Sequence, residues 1–333
     1  MIKHNMRLLF ILSFLFSAAH AAEPQTEKGG YLQRPELHSF IQEMVDRHAF
    51  SEAELQNWFK QVRPRNDIIE SISNPAEGKP WYVYRAIFLK EKRITGGVEF
   101  WQQHRNLLEA AEELTGVPAK IIVAILGVET LYNTYKGRYP VLESLATLSF
   151  DYPKRAKFFR SEMEQFLLLA REEKVDPLSL NGSYAGAMGG PQFISSSFRN
   201  FAVDFNNDGK RDIWTDPADM IGSVANYFKL HGWVKDQPIA VKVNVNTKKL
   251  DDKYLKTYKP GFTVTEMQKA GVEVDSSMFP EQQAALIKLE QKKSDDYWLV
   301  FKNFYVITRY NHSPLYAMAV HQLSKEIEQR MKP

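Results

Sequence analysis

Glu129 is the next-to-last residue of the run Ile121-Ile122-Val123-Ala124-Ile125-Leu126-Gly127-Val128-Glu129-Thr130, which holds no other charge. At helical spacing, Leu126, Ile125 and Ile122 share its face. The carboxyl is therefore set on an apolar stripe near the C-terminal end of a helix. Both settings disfavour the anion, because desolvation raises a carboxyl pKa and a helix C-terminus is negative. An acid that keeps its proton near neutral pH is a general acid able to protonate a glycosidic oxygen. The same residues also fit a glutamate that closes a core helix and turns to solvent or pairs with an arginine.

Glycosidases ordinarily use two carboxylates. Asp151, in Ser149-Phe150-Asp151-Tyr152, and Glu143 are the candidates nearest in sequence. Neither has an apolar setting like that of Glu129, and both read as surface or loop residues. Without a partner carboxylate, the substrate itself must supply the nucleophile.

A second constellation is oxygen-rich. Asp204-Phe205-Asn206-Asn207-Asp208-Gly209-Lys210-Arg211-Asp212 follows the start of an EF-hand loop, with Asp204, Asn206 and Asp208 as ligands and Lys210 offering its carbonyl. The closing glutamate is missing. Thr215 stands there, and Asp216 and Asp219 come later. The same residues also favour a solvated Asx-turn loop.

These residues need elements to hold them. Helical periodicity starts near Pro35, and Ser51 with Glu54 forms a capping box flanked by Phe50 and Leu55. Residues 63–95 are mixed and carry the aromatic cluster Trp81-Tyr82-Val83-Tyr84. Residues 97–115 read as one amphipathic helix closed by Gly116, and Val117-Pro118 restarts a helix that reaches about Tyr132. Pro153 opens another, to about Glu173. Residues 181–190 are too rich in glycine for a helix and read as a hairpin or loop. A helix spans Asp216 to His231, residues 238–246 alternate as a strand, and a last helix covers about 313–331. The expected class is α+β, mainly α, with a small β-containing part at 236–305.

The chain has 333 residues, a formal net charge of +3, and no cysteine. Lys3 and Arg7 carry two of those positive charges, so the body is close to neutral and offers no basic face for nucleic acid. Disulfides, thiolate chemistry and a lipid-bearing cysteine are excluded. Lys3, His4 and Arg7, then the apolar run Leu8–Phe16, then Ala19-His20-Ala21, make a signal peptide over residues 1–21. The run is too short to span a membrane. Residues 22–34 read as a flexible lead-in, and the mature protein is expected in a bacterial periplasm without an anchor.

Three separated motifs resemble the lytic murein transglycosylase B family. They are Gly127-Val128-Glu129-Thr130, then Gly182-Ser183-Tyr184-Ala185-Gly186-Ala187-Met188-Gly189 with Pro191-Gln192-Phe193, then Thr308-Arg309-Tyr310-Asn311-His312-Ser313. The likeness runs from about residue 35 to 325. It implies a lysozyme-like helical core, with a helical part at 35–96, a catalytic core at 97–235, the β-containing part, and a C-terminal segment at 306–333 returning to the groove. It also implies cleavage of the β-1,4 bond between N-acetylmuramic acid and N-acetylglucosamine in peptidoglycan, leaving a 1,6-anhydro ring.

In that reading Glu129 is acid and then base, the substrate N-acetyl group steadies the positive charge, and no second carboxylate is required. Ser183 matches a serine bonded to the acid, and Gln192 a glutamine at the cleavage subsite. Tyr84, Arg155, Tyr227, Tyr310, Asn311 and Tyr316 match residues lining the glycan groove. Asp219 matches the late aspartate of an irregular calcium loop, so a structural calcium ion is expected and no cofactor for the chemistry. Lys154, Phe158, Asn133 and Ser195 depart from the family pattern, which bears on subsites and not on the reaction. A monomer acting on glycan strands is the expected form. The rival readings are a muramidase that hydrolyses the same bond, and a peptidoglycan-binding protein without activity.

Overall fold

The structure is a computed structural model, and it describes residues 30–73, 79–275 and 282–332. The expected signal peptide and most of the lead-in lie outside the described residues. The described chain folds as two compact units, each made of two stretches: residues 79–132 with 221–332, and residues 30–73 with 133–220.

The first unit is built on the helix Ala119–Thr130, in which every residue but Lys120 is buried. The apolar stripe seen in the sequence is thus part of a helix buried on all sides, as expected for one with almost no polar face. It packs on the helices Glu91–Gln103, Arg105–Thr115 and Pro314–Met331. The single helix expected at 97–115 is two helices, broken at His104 (φ −114°, ψ 28°). His104 lies on the Phe100 ring at 4.6 Å between centroids. Apolar spacing continues across the break, so periodicity does not register it. Gly116 closes the second helix at φ 71°, as expected.

Trp81–Phe88 is helical, inside the stretch that read as mixed. With only two turns it shows too little periodicity to declare itself. The β part of this unit is a five-stranded antiparallel sheet in the spatial order Phe262–Thr263, Gln283–Glu290, Asp295–Val300, Ala240–Val245, Val272–Glu273. Its register pairs Ala285 with Val300 and Ala240 with Val300 on the other side. Val243, Val264, Met267, Leu286 and Leu299 form its core. A last pair of helices follows, Lys302–Tyr310 and Pro314–Met331, joined by Asn311, His312 and Ser313.

The second unit centres on the helices Val141–Phe150 and Ala156–Glu172, which pack on each other. Ser51 caps the helix Glu52–Gln61, its Oγ accepting from Glu54 N–H at 3.4 Å. The glycine-rich segment is the expected hairpin-like loop: Asn181–Gly182 pairs with Tyr139–Pro140, and Met188 bridges both Gly182 and Phe193.

Within the first unit, Asn303 ties the base of the helix that carries Tyr310 to the chain before the sheet. It is fully buried, accepts from Val234 N–H at 2.9 Å, and donates to Val234 O at 2.7 Å and Gln237 O at 3.2 Å. Asn303→Ala strands those backbone groups, so a loss of about 2–3 kcal/mol is expected, read as a lowered denaturation midpoint with unchanged m-value.

Candidate active site

Glu129 is 6% exposed and sits one residue before the end of its helix. Burial pushes its carboxyl up from 4.5 to about 8. The phenol of Tyr316 donates to its Oε1 and pulls modestly the other way. No arginine or lysine figures among the groups acting on it. The alternative of a solvent-facing or arginine-paired glutamate is therefore not what this chain builds.

Tyr316 lies in the first turn of Pro314–Met331, which Ser313 caps by accepting Tyr316 N–H at 3.4 Å. Tyr310 ends the preceding helix. Its phenol is raised well above 10, by burial first and then by the Glu129 and Tyr227 charges. Tyr227 and Tyr310 have ring centroids 4.7 Å apart, and Tyr227 Oη donates to Arg309 O at 2.6 Å. His231 also stacks on Tyr227, at 4.0 Å between centroids. Tyr84 stands on Trp81–Phe88 and adds to the field felt by Tyr316. Glu129, Tyr84, Tyr227, Tyr310 and Tyr316 thus belong to one network in one unit. Tyr84, Tyr227 and Tyr316 are buried, so their faces pack inside the protein and Tyr310 alone of these keeps a partly open surface. Asn311 is buried, and its Oδ1 has no partner among the described residues.

In the second unit, Ser183 Oγ accepts from Ala185 N–H at 3.2 Å and Ala187 N–H at 3.1 Å, closing the glycine-rich turn around itself. Gly189 adopts φ 66°, and a Cβ there would meet Ile213 O at 2.4 Å. Gln192 takes φ 53°; its amide donates to Gly189 O at 2.9 Å and Lys136 O at 3.2 Å. Its Oε1 is buried without a partner among the described residues. The Arg155 guanidinium lies over Phe158 at 4.2 Å and over Phe159 at 5.0 Å. Phe158 therefore keeps the cation–π contact that a tyrosine would make.

The acidic loop is folded on its own backbone. Asp204 carboxylate oxygens accept from Asp208 N–H at 3.0 Å and Gly209 N–H at 2.8 Å, and Asn206 Oδ1 accepts from Asp208 N–H at 3.1 Å. Asp208 Oδ1 accepts from Lys210 N–H at 3.0 Å. Asp219 is fully buried and accepts from Phe205 and Asp212 N–H, both at 2.7 Å. Its carboxyl is raised by burial and further by Asp216 and Asp204. The donor set is all oxygen, as a hard cation requires. Among the described residues, no three His, Cys, Asp or Glu side chains are gathered closely enough to hold a metal.

A model of the transglycosylase SLT domain matches residues 32–325. The chain belongs to the SLT-domain transglycosylases. It is 41% identical over 309 residues to the membrane-bound lytic murein transglycosylase B of Escherichia coli, a match covering 90% of this chain and 84% of that one. It is similar to the soluble lytic transglycosylase SltB1 of Pseudomonas aeruginosa at 46% identity and a TM-score of 0.85, over 90% of this chain and all of the other. The Escherichia coli lytic transglycosylase Slt35 in complex with calcium is 40% identical, with a TM-score of 0.85 over 94% of this chain and all of that one. This SLT-domain chain is accordingly a peptidoglycan-cleaving lyase with a lysozyme-like, mainly helical fold. No helix among its described residues is long and apolar enough to cross a membrane.

Two further members of this network, Arg309 and His231, are not marked by residue type or spacing. Arg309 takes the Tyr227 hydroxyl on its carbonyl and lays its guanidinium over Tyr305 at 4.2 Å. It stood inside the Thr308-Arg309-Tyr310 motif, but a backbone acceptor leaves no trace in residue type. His231 was visible only as the end of a helix.

The Glu129 carboxyl ionises near pH 4.5 in the unfolded chain and near 8 in the folded one. Between those values the native state holds a proton that the unfolded state has released, so stability falls as pH rises. Glu129→Gln removes that dependence. Across about pH 5 to 8 the parent is expected to lose stability relative to the variant, on the order of 1 kcal/mol per pH unit, in denaturant titrations at matched salt.

Proposed function

We propose that Glu129 cleaves the β-1,4 bond between N-acetylmuramic acid and N-acetylglucosamine as a lone acid that then serves as base. The observation that carries this reading is a buried carboxyl, raised to about 8, whose one side-chain bond among the described residues is to a neutral tyrosine. Such a group arrives protonated and gives its proton to the glycosidic oxygen as the bond breaks. The substrate N-acetyl oxygen steadies the cationic sugar carbon. The carboxylate left behind is poorly solvated and therefore a strong base, and the Tyr316 phenol donates to it. It takes the proton of the muramic acid 6-hydroxyl, whose oxygen closes the 1,6-anhydro ring. Atoms and charge balance without water.

The remaining roles are those that the family resemblance implies. The resemblance makes Ser183 a partner of the acid and Gln192 a subsite residue; within its own unit Ser183 Oγ is held by Ala185 and Ala187 N–H. The unpartnered oxygens of Gln192 and Asn311 are acceptors for sugar hydroxyl or acetamido N–H groups. The resemblance makes Arg155, Tyr84, Tyr227 and Tyr310 glycan-groove residues; of the three tyrosines, Tyr310 keeps a partly open surface and the other two back it from inside their unit. The domain partition is that of the sequence reading, with residues 1–21 a signal peptide directing a monomer to the periplasm. Calcium binding by the loop Asp204–Asp219, through Asp204, Asn206, Asp208, the Lys210 carbonyl and Asp219, requires these groups to draw closer together than they stand here, and it serves stability and not chemistry. The calcium complex of the Slt35 relative supports this.

Glu129→Gln is expected to leave purified sacculi undigested, while the parent releases muropeptides one water lighter than hydrolysis products. Digestion by the variant at the parental rate would sink the mechanism, and products carrying the extra water would mean a muramidase. Saturating calcium is expected to raise the thermal midpoint of the parent, and to leave an Asp204→Ala variant where it was.

A further inference from the structure

Just beyond Glu129 the backbone takes an unusual course. Leu131, Tyr132 and Asn133 have φ of 50°, 57° and 68°, three successive left-handed residues with no glycine among them. A β-carbon disfavours this conformation, and such a run persists only where its surroundings hold it. A helix end is ordinarily closed by glycine at no such penalty.

The surroundings are specific. Leu131 N–H bonds Gly127 O at 3.3 Å and Tyr132 N–H bonds Leu126 O at 3.0 Å, closing the last turn. The Tyr132 ring then lies against three bare glycines. A Cβ on Gly127 would come 2.4 Å from Tyr132 Oη, one on Gly97 2.6 Å from it, and one on Gly96 3.1 Å from ring Cε2. Phe100 stacks on the ring at 5.6 Å, and Oη donates to Arg93 O at 2.7 Å. Arg93 in turn gives Nε to Gly127 O at 2.8 Å, and Nη1 to Ile87 O at 2.7 Å and Phe88 O at 3.2 Å.

We propose that Tyr132 and Arg93 are positioning residues, which lock the last turn of Ala119–Thr130 through the glycine slot and so fix the reach of Glu129 toward the bond it cleaves. This rests on the reading of Glu129 as the acid. The residue types serve that end. Arg93 satisfies carbonyls at a negative helix terminus, yet it is not among the groups acting on the Glu129 carboxyl. The helix end is thus pinned by a cation that leaves the acid protonated. Tyr132 reaches from the strained turn to the neighbouring helix Glu91–Gln103, so the angle of the last turn is set by two helices and not by one.

Tyr132→Phe keeps the ring in the slot and removes only the bond to Arg93 O. Tyr132→Gly empties the slot while easing the left-handed backbone. Turnover of purified sacculi, its pH dependence and the thermal midpoint are measured for both, beside Glu129→Gln. The expected result is a kcat lower by about tenfold for the first variant and about a hundredfold for the second, with KM within about twofold. The pH midpoint of activity moves down in both, because a loosened turn admits water to the carboxyl. Parental kcat and pH midpoint in Tyr132→Phe, whatever its thermal midpoint, would make Tyr132 a structural residue and overturn the proposal. An active Glu129→Gln would overturn the underlying reading as well, and an inactive one beside unaffected Tyr132 variants would overturn the positioning role alone.

Discussion

The withdrawal of one carboxyl from water organises the first unit. Glu129 keeps its proton because Ala119–Thr130 is buried on every side, and burial outweighs the one hydrogen bond that favours the anion. That condition constrains its neighbours. A cation beside the carboxyl would ionise it, so its partner is a neutral phenol. The helix terminus still needs donors for its last carbonyls. They come from the backbone reversal at Leu131 and Tyr132, and from Arg93.

The link between Lys302–Tyr310 and Pro314–Met331 is the second consequence. Tyr310 and Tyr316 flank it, and Ser313 caps the helix that presents Tyr316 to the acid. Its buried polar groups are incompletely satisfied: Asn311 Oδ1 and His312 Nδ1 have no partner among the described residues. An unpaired buried acceptor costs about 1–3 kcal/mol. In a stable fold such groups collect where a ligand completes them. Gln192 Oε1, on its left-handed turn in the second unit, has the same character.

The second unit solves a different problem, that of holding polar side chains on short loops. Ser183 commits its oxygen to two backbone N–H groups, and the acids of 204–219 do likewise. These loops are therefore shaped by their own side chains before any ligand arrives. Asp219 is buried among them, and burial first, then the Asp216 and Asp204 charges, raise its carboxyl.

Much of this was legible in residue order. The Ser51 cap, the Gly116 stop, the hairpin-like loop and the apolar setting of Glu129 are local features, dictated by backbone conformation within a few residues. The helix break at His104 and the two-turn helix Trp81–Phe88 were not, because apolar spacing persists through the first and is too brief in the second. Pairings across long stretches of chain were not legible either. Tyr316 meets Glu129 across 187 positions, and Tyr132 finds its slot through glycines on two helices. By itself the sequence determined that an acid would sit on an apolar helix and that the chain would be mainly helical. Only the tertiary structure decided that the acid's partner is a phenol and not an arginine, since that depends on which side chains packing brings into a space closed to water.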